Sequence, residues 1–337
     1  VTASAATTRP ARRDIEWHGF LRDYGVYVGV IALILINTAQ NPNFLTYFNV
    51  RLQLVQVVPV AIVSLGLALV IGTRGIDISL GSVMAVAAAT VAAFLHLGPV
   101  PAIAAGLIAG AILGAINGTL VGRLGIQPIV ATLGMLVAGR GIALLIAEGR
   151  LTEIFDPLLG SLGSGAVPIP LLDAVEPLRS FATGIPFVVI ITLVLAGIVA
   201  FTVGRTTFGR HILATGGNPT AARLSGVPVI RTLIVVYVVS AVLAACAGII
   251  QTARTGAADP SFLGNLIELS AISAVVVGGT PFSGGRVRII GTLAGALFMQ
   301  LIETTLIRNN LSDSVARMVA AVIILTAVFI QREREGR

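Results

Sequence analysis

Leu52-Gln-Leu-Val-Gln-Val-Val-Pro-Val-Ala-Ile-Val-Ser-Leu-Gly-Leu-Ala-Leu-Val-Ile-Gly72 runs through 21 positions without one charged side chain. A helix needs roughly 20 mostly apolar residues to cross about 30 Å of hydrocarbon, so this stretch reads as a transmembrane helix. The same texture recurs on either side of it. Runs bounded by charges, Gly or Pro fall at 24–40, 52–72, 80–97, 99–122, 127–148, 184–203, 231–252, 267–281, 289–303 and 314–331. The expected fold is therefore an all-α integral membrane protein of about ten transmembrane helices. It divides into a tail at 1–23, a polytopic domain at 24–331 and a short tail at 332–337. The eighth and ninth runs are short, which predicts tilted, broken or re-entrant segments and leaves a range of eight to eleven spans.

Composition agrees. Of 337 residues, 56% are hydrophobic and 11% charged, with a mean hydropathy of +0.98, whereas soluble domains carry about 25% charged residues. A water-soluble enzyme is excluded. All 22 basic residues are arginine, and 38 glycines make close helix packing available along the chain. The net charge of +7 does not imply nucleic acid, because its arginines sit in short gaps between apolar runs rather than on one solvated face; membrane lipid is the expected surrounding. Cytoplasmic loops retain positive charge. With the N-terminus inside, fifteen arginines fall in internal segments and five in external ones, so both termini are expected in the cytoplasm. The longest external loop, 149–183, is then acidic, and the internal loop at 204–231 is basic.

No catalytic signature is present. The phosphate-loop pattern and H-E-x-x-H are absent, and His18, His96 and His211 are far apart. The internal loop, in contrast, contains the grammar of a short helix. Asn218 is an N-cap residue, Pro219 takes the first helical position, Thr220 to Ser225 form the body, Gly226 supplies the left-handed terminus and Pro228 blocks continuation. Ala221 and Ala222 offer a small-residue face for close approach. So short a helix must be held by packing, on its own spans or in a partner's groove; the plainer reading is a capped turn between spans.

Gly209-Arg-His-Ile-Leu-Ala-Thr-Gly-Gly-Asn-Pro-Thr-Ala-Ala-Arg-Leu-Ser-Gly-Val227 resembles the coupling loop of membrane permeases in bacterial ATP-binding-cassette importers of the ribose, xylose and galactose class. Gly75-Ile-Asp-Ile-Ser-Leu-Gly-Ser82 and Ala274-Val-Val-Val-Gly-Gly-Thr-Pro-Phe-Ser-Gly-Gly-Arg286 resemble the same family in the same order, and 126–146 is similar to the galactofuranose permeases within it. The resemblance implies a non-catalytic subunit. It further implies a second permease, identical or paralogous, cytoplasmic ATPase subunits carrying the ATP and magnesium, and a periplasmic or lipid-anchored sugar-binding protein. No cofactor is expected on this chain. The family also implies an inverted repeat of spans 2–5 and 7–10. Gly209, Gly217, Asn218, Pro219, Ala221, Ala222, Arg223 and Gly226 become candidate ATPase-coupling residues, a rigid lever moved by the nucleotide cycle.

Candidate pathway or gate residues are Gly75, Asp77, Ser79, Asn117, Arg140 and Glu268. Asp77 or Ser79 can cap span three, or Asp77 can stand in a polar gate, since ionisable groups near hydrocarbon point to function. Arg74 occupies a position where the family usually has glycine and is placed to neutralise Asp77. Arg140, between Gly139 and Gly141, either snorkels past the end of span five or lines the pathway; Glu268 reads as a helix-end anion. Gly278 to Gly285 reads as a tight turn, since the lysine of a phosphate loop is missing. An ion-coupled carrier is the alternative, with Asp77, Glu268 and Glu303 as its few acids. A membrane-embedded transferase would need paired Asp-rich motifs, which are absent. Within the importer class, a quorum-signalling furanose, a nucleoside or a branched-chain amino acid are the other substrates; a pentose or hexose is expected.

Overall fold

A computed structural model describes residues 17–169 and 184–309, with a few helical positions between 314 and 326. The run at 314–331 and both chain ends fall wholly or largely outside the described residues. Among those described, seven helices are long and apolar enough to cross a membrane by length and composition. These are α2 (Tyr47–Gly72), α3 (Leu80–Phe94, extended to Leu97 by a 3-10 turn), α4 (Pro99–Gly122), α5 (Pro128–Ile146), α7 (Phe187–Arg205), α10 (Val229–Thr255) and α12 (Ile289–Arg308). Two of the expected spans are shorter as apolar helices: Tyr24–Gln40, part of α1 (Trp17–Gln40), and α11 (Ile267–Val277). Helix α1 thus starts seven residues inside the segment read as a tail, because Arg22 and Asp23 end the apolar run without ending the helix.

The centre of the bundle is α10, which packs against α2, α3 and α4. Residues Ala61–Gly72 of α2 and Leu80–Val91 of α3 are buried throughout. Helix α4 reaches α10 through glycines at four-residue spacing. A Cβ on Gly114 would stand 2.6 Å from the Tyr237 carbonyl oxygen, and one on Gly118 would stand 2.7 Å from Ile234 Cα. With apolar tails on every side, association rests on packing rather than on the hydrophobic effect, and this ridge lets two backbones touch.

The packing repeats. Helix α3 lies on α4 as α11 lies on α12, and α10 contacts α3 and α4 as α2 contacts α11 and α12, while α2 and α10 contact each other. Exchanging α2–α4 with α10–α12 preserves these pairings. Each half also contains a non-helical entry to its short helix: 73–79 before α3 and 259–266 before α11. The first turn of α3 meets the 259–266 entry where a Cβ on Gly81 would be 2.2 Å from the Gly264 carbonyl oxygen.

Loop contacts form two groups. At one end, β1 (Thr152–Glu153) pairs antiparallel with β4 (Ala257–Ala258), and β2 (Ala166–Val167) with β3 (Ile185–Pro186). Arg51 there donates to the Ser164 carbonyl at 2.8 Å and Tyr47 to that of Gly184 at 3.0 Å. Helix α6 (Pro157–Ser164) starts from Asp156, whose side chain accepts from the Leu158 and Leu159 amides. At the other end lie the loops following α2, α7 and α11. This grouping is the one that simple alternation of the spans requires.

Candidate functional site

The loop after α7 folds into two helices, α8 (Thr207–Gly217) and α9 (Pro219–Leu224). Sequence reasoning found only the second. Helix α9 has both ends closed: Asn218 Oδ1 accepts from the Thr220 and Ala221 amides at 3.1 and 3.0 Å. At the far end the Gly226 amide donates to the Arg223 carbonyl and the Val227 amide to that of Ala222, with Gly226 at φ +82°. This is the paired bonding of a Schellman terminus, which needs the left-handed conformation that glycine adopts without strain. Ala222 is buried, so it faces the bundle and not outward as the sequence suggested. Ala221, Arg223 and Leu224 are exposed, Leu224 at 86%. Gly209 is also buried; a Cβ there would meet the Val203 carbonyl oxygen at 2.3 Å. Its place is therefore the α7–α8 corner, not the outer surface. Gly217 has open space where a Cβ would go.

The end of α2 and Arg74, just before the Gly75–Ser82 motif, meet the 274–286 segment at the junction of α8 and α9. Arg74, at φ +65°, sends Nε to the Ser283 carbonyl at 2.7 Å and Nη2 to the Gly217 carbonyl. The Gly285 amide donates to the Gly72 carbonyl at 3.0 Å. Gly216 lies between these backbones, and a Cβ on it would be 1.8 Å from the Gly72 oxygen and 2.5 Å from the Gly285 nitrogen. The 278–285 segment is the expected tight turn, with Gly284 and Gly285 at φ +74° and +75°. Arg74 does not serve Asp77; its guanidinium turns to main-chain carbonyls of two other loops, correcting the expected neutralisation.

Asp77 lies inside the bundle with no exposed surface. Segment 73–79 turns inward after Arg74, with Ile76 and Ile78 touching Thr132 of α5 through 3.3 Å bonds to its hydroxyl. Asp77 Oδ1 accepts from both the Ser79 amide (2.9 Å) and the Ser79 hydroxyl (2.6 Å), and Asn117 Nδ2 donates to that hydroxyl at 2.9 Å. Asp77 thus holds the N-terminus of α3 at its cap residue, while Ser79 itself makes no capping bond. Asp77 Oδ2, Asn117 Oδ1 and Tyr237 Oη are buried without hydrogen-bond partners. Gly75 is packed so closely that a Cβ would be 2.7 Å from Tyr237 Oη.

Arg140 does not extend past the end of α5. Its Nη1 donates to the Pro260 and Leu263 carbonyls, both at 2.9 Å, fixing the 259–266 entry against α5. Glu268 lies in the first turn of α11, the helix-end position expected of it, with Oε2 buried and unpartnered near Gly81 of α3.

A family model described as the branched-chain amino acid transport system permease component matches residues 50–328. The chain belongs to this permease family. It is 36% identical to the ribose import permease protein of Escherichia coli K12, over 91% of this chain and 93% of the relative. Identity is also 36% to the ribose import permease protein of Bacillus subtilis 168, over 96% and 97%. The galactofuranose transporter permease protein of Escherichia coli K12 is 35% identical, over 97% and 94%; these values do not separate a galactofuranose from a ribose likeness. No solved structure matches the chain. The protein is a multi-pass membrane permease.

Several residues of this permease escaped sequence reasoning. Leu224, the most exposed apolar side chain of α9, carries no signal beyond its place beside the cap grammar. Gly216 and Tyr237 act through neighbours distant in the chain. Arg74 was legible only as a departure from the family pattern.

Proposed function

We propose that this chain is the membrane-spanning permease subunit of an ATP-binding-cassette importer for a monosaccharide, a pentose or hexose, in the bacterial inner membrane. A cytoplasmic ATPase holding ATP and magnesium drives it, an external binding protein delivers the sugar, and a second permease completes the passage. The observation that carries this reading is α9. It is six residues long, closed at both ends, and presents Leu224 to the outside at 86% exposure, although an isolated helix of that length is unstable. An exposed apolar side chain on a rigid stub fits a groove on a partner. The ribose and galactofuranose permeases named above, and a D-allose permease of Escherichia coli 32% identical over 98% of this chain, support the sugar class.

Movement of α9 has a direct route inward. Gly217 at its root is bonded to Arg74, which begins the buried segment ending in Asp77 and Ser79. A partner cleft that opens and closes would pull on the start of α3, with ATP selecting between two packings. The chain itself supplies no catalysis. The test is uptake in proteoliposomes holding the permease, its ATPase and its binding protein, comparing the unmodified chain with Leu224→Glu. The substitution should abolish stimulation of ATP hydrolysis by the loaded binding protein while the permease still folds. Sugar uptake that collapses with an ionophore while ATP remains would instead establish an ion-coupled carrier.

A further inference from the structure

A groove on the outer face of α4 is lined by Ile112, Ala115, Ile116, Thr119 and Leu120. Its walls are apolar, and their one hydroxyl is used inside the helix, where Thr119 Oγ1 donates to the Ala115 carbonyl at 2.7 Å. Helical spacing carries the same stripe to Arg123, one turn beyond Thr119 and Leu120. From Ile112 to Arg123 is about 16 Å along the axis, close to one leaflet's half of the roughly 30 Å hydrocarbon core. At this charged end α4 meets the start of α10, where a Cβ on Gly122 would be 3.2 Å from the Ile230 carbonyl oxygen. Arg123 and Arg231 follow these two touching residues by one position each, and both are exposed. Arg123 is the C-cap of α4, where the helix dipole favours a cation. Arg231 has the opposite placement. It lies in the first turn of α10, a helix end that already carries partial positive charge and has neither a capping side chain nor an acidic residue. Among the described side chains the only carboxylate at this end of the bundle is Asp77, which is buried. The chain therefore supplies no counter-charge to the pair, and the groove beside it runs at hydrocarbon depth.

We infer that α4 and the start of α10 hold one anionic phospholipid, its phosphate between Arg123 and Arg231 and an acyl chain along the 112–120 groove. Guanidinium groups bind phosphate through charge-assisted hydrogen bonds, and the first-turn amides of α10 add donors at the same helix end. A zwitterionic headgroup would bring its own ammonium to a doubly cationic site, so the net-anionic class fits. The inference does not need the importer reading, which adds only that this leaflet is the cytoplasmic one. Helix α10 begins shortly after α9, so the lipid braces the α4–α10 crossing beside the coupling helix.

The test is native mass spectrometry of the delipidated full-length permease, alone and in the assembled complex, titrated with phosphatidylglycerol or with phosphatidylethanolamine of the same acyl chains. The unmodified chain should hold one phosphatidylglycerol, preferred by about thirtyfold when each arginine contributes about fivefold. Arg123→Gln combined with Arg231→Gln should erase the preference, and Arg123→Lys with Arg231→Lys should keep most of it. Arg205→Gln, at an exposed arginine of α7 outside the groove, should change nothing. Ala115→Leu fills the groove and should weaken both lipids several-fold without altering the preference. Size-exclusion chromatography checks that each variant stays folded. Equal retention of the two lipids, a preference that survives both glutamines, or an equal loss with Arg205→Gln would overturn the site. Unchanged retention by Ala115→Leu would overturn the groove as the seat of the acyl chain. Displacement by inorganic phosphate would overturn the lipid in favour of a free anion, and loss of the lipid on assembly would overturn it in favour of a protein interface.

Discussion

Gly216 and Gly217 are chemically identical neighbours whose replacement by alanine should have opposite outcomes. At Gly216 the new methyl would lie 1.8 Å from the Gly72 carbonyl oxygen and 2.5 Å from the Gly285 nitrogen. Both obstacles are backbone, so α8 must move away by more than 1 Å on the scale of an ordinary contact of about 3.5 Å. That movement breaks the Gly285–Gly72 hydrogen bond. Overpacking costs about 1–3 kcal/mol and a lost hydrogen bond about 0.5–1.5 kcal/mol, so Gly216→Ala should destabilise the permease by about 2–4 kcal/mol. At Gly217 the methyl meets nothing within 4 Å, and the residue ends a helix with ordinary backbone angles. Reduced freedom of the unfolded chain should then stabilise Gly217→Ala by about 0.4–1 kcal/mol. The measurement is the fraction of purified permease that stays monodisperse in size-exclusion chromatography after graded heating. Gly217→Trp completes the set: it should remain as stable as the unmodified chain while losing ATPase stimulation, since the side chain would occupy the approach to α9. Equal heat stability of Gly216→Ala and Gly217→Ala would refute the packing argument. Normal uptake by Gly217→Trp would refute the coupling role of this corner.

Arg74→Gly removes two main-chain contacts but relieves a left-handed arginine, which costs about 1–2 kcal/mol; heat stability should change little, while sugar transported per ATP hydrolysed falls several-fold. Unchanged stoichiometry would show that the contacts do not transmit movement. Asn218→Ala should cost about 1 kcal/mol in the local opening of α9, read as faster amide hydrogen exchange at Thr220 and Ala221, and Asn218→Asp should restore protection. Asp77→Ala strands the Ser79 amide and hydroxyl and should lower stability by about 1–3 kcal/mol. Asp77→Asn keeps the accepting oxygen and should stay close to the unmodified chain in the same heating assay.

Apolar runs bounded by charges were enough to locate the seven long apolar helices among the described residues, because hydrocarbon thickness imposes a length that composition reveals. The cap grammar around α9 was equally local and equally legible, from Asn218 to Gly226. Helix α8 was hidden because Gly209, Gly216 and Gly217 read as loop; its conformation is maintained by backbone contacts to residues 72 and 285. In sequence, segment 73–79 leaves a capping turn and a polar gate both open; in the structure Arg74 is exposed while Asp77 is buried. The 259–266 entry, with Asp259, Pro260, Gly264 and Asn265, likewise has the composition of an external loop. Its attachment to Arg140, more than a hundred residues earlier, depends on carbonyl groups, which leave no trace in sequence.

The contact between Gly81 and Gly264 has an implication for protein engineering. Each segment's backbone fills the room that a side chain on the other would require, so neither can be replaced with a bulkier sequence alone. A chimera that transfers 75–82 from a related permease must transfer 259–268 with it, and loops of unequal length at these two places cannot be mixed. Natural drift faces the same restriction: the halves of the fold are free to diverge in their outer helices, but at this crossing they are obliged to change as a pair.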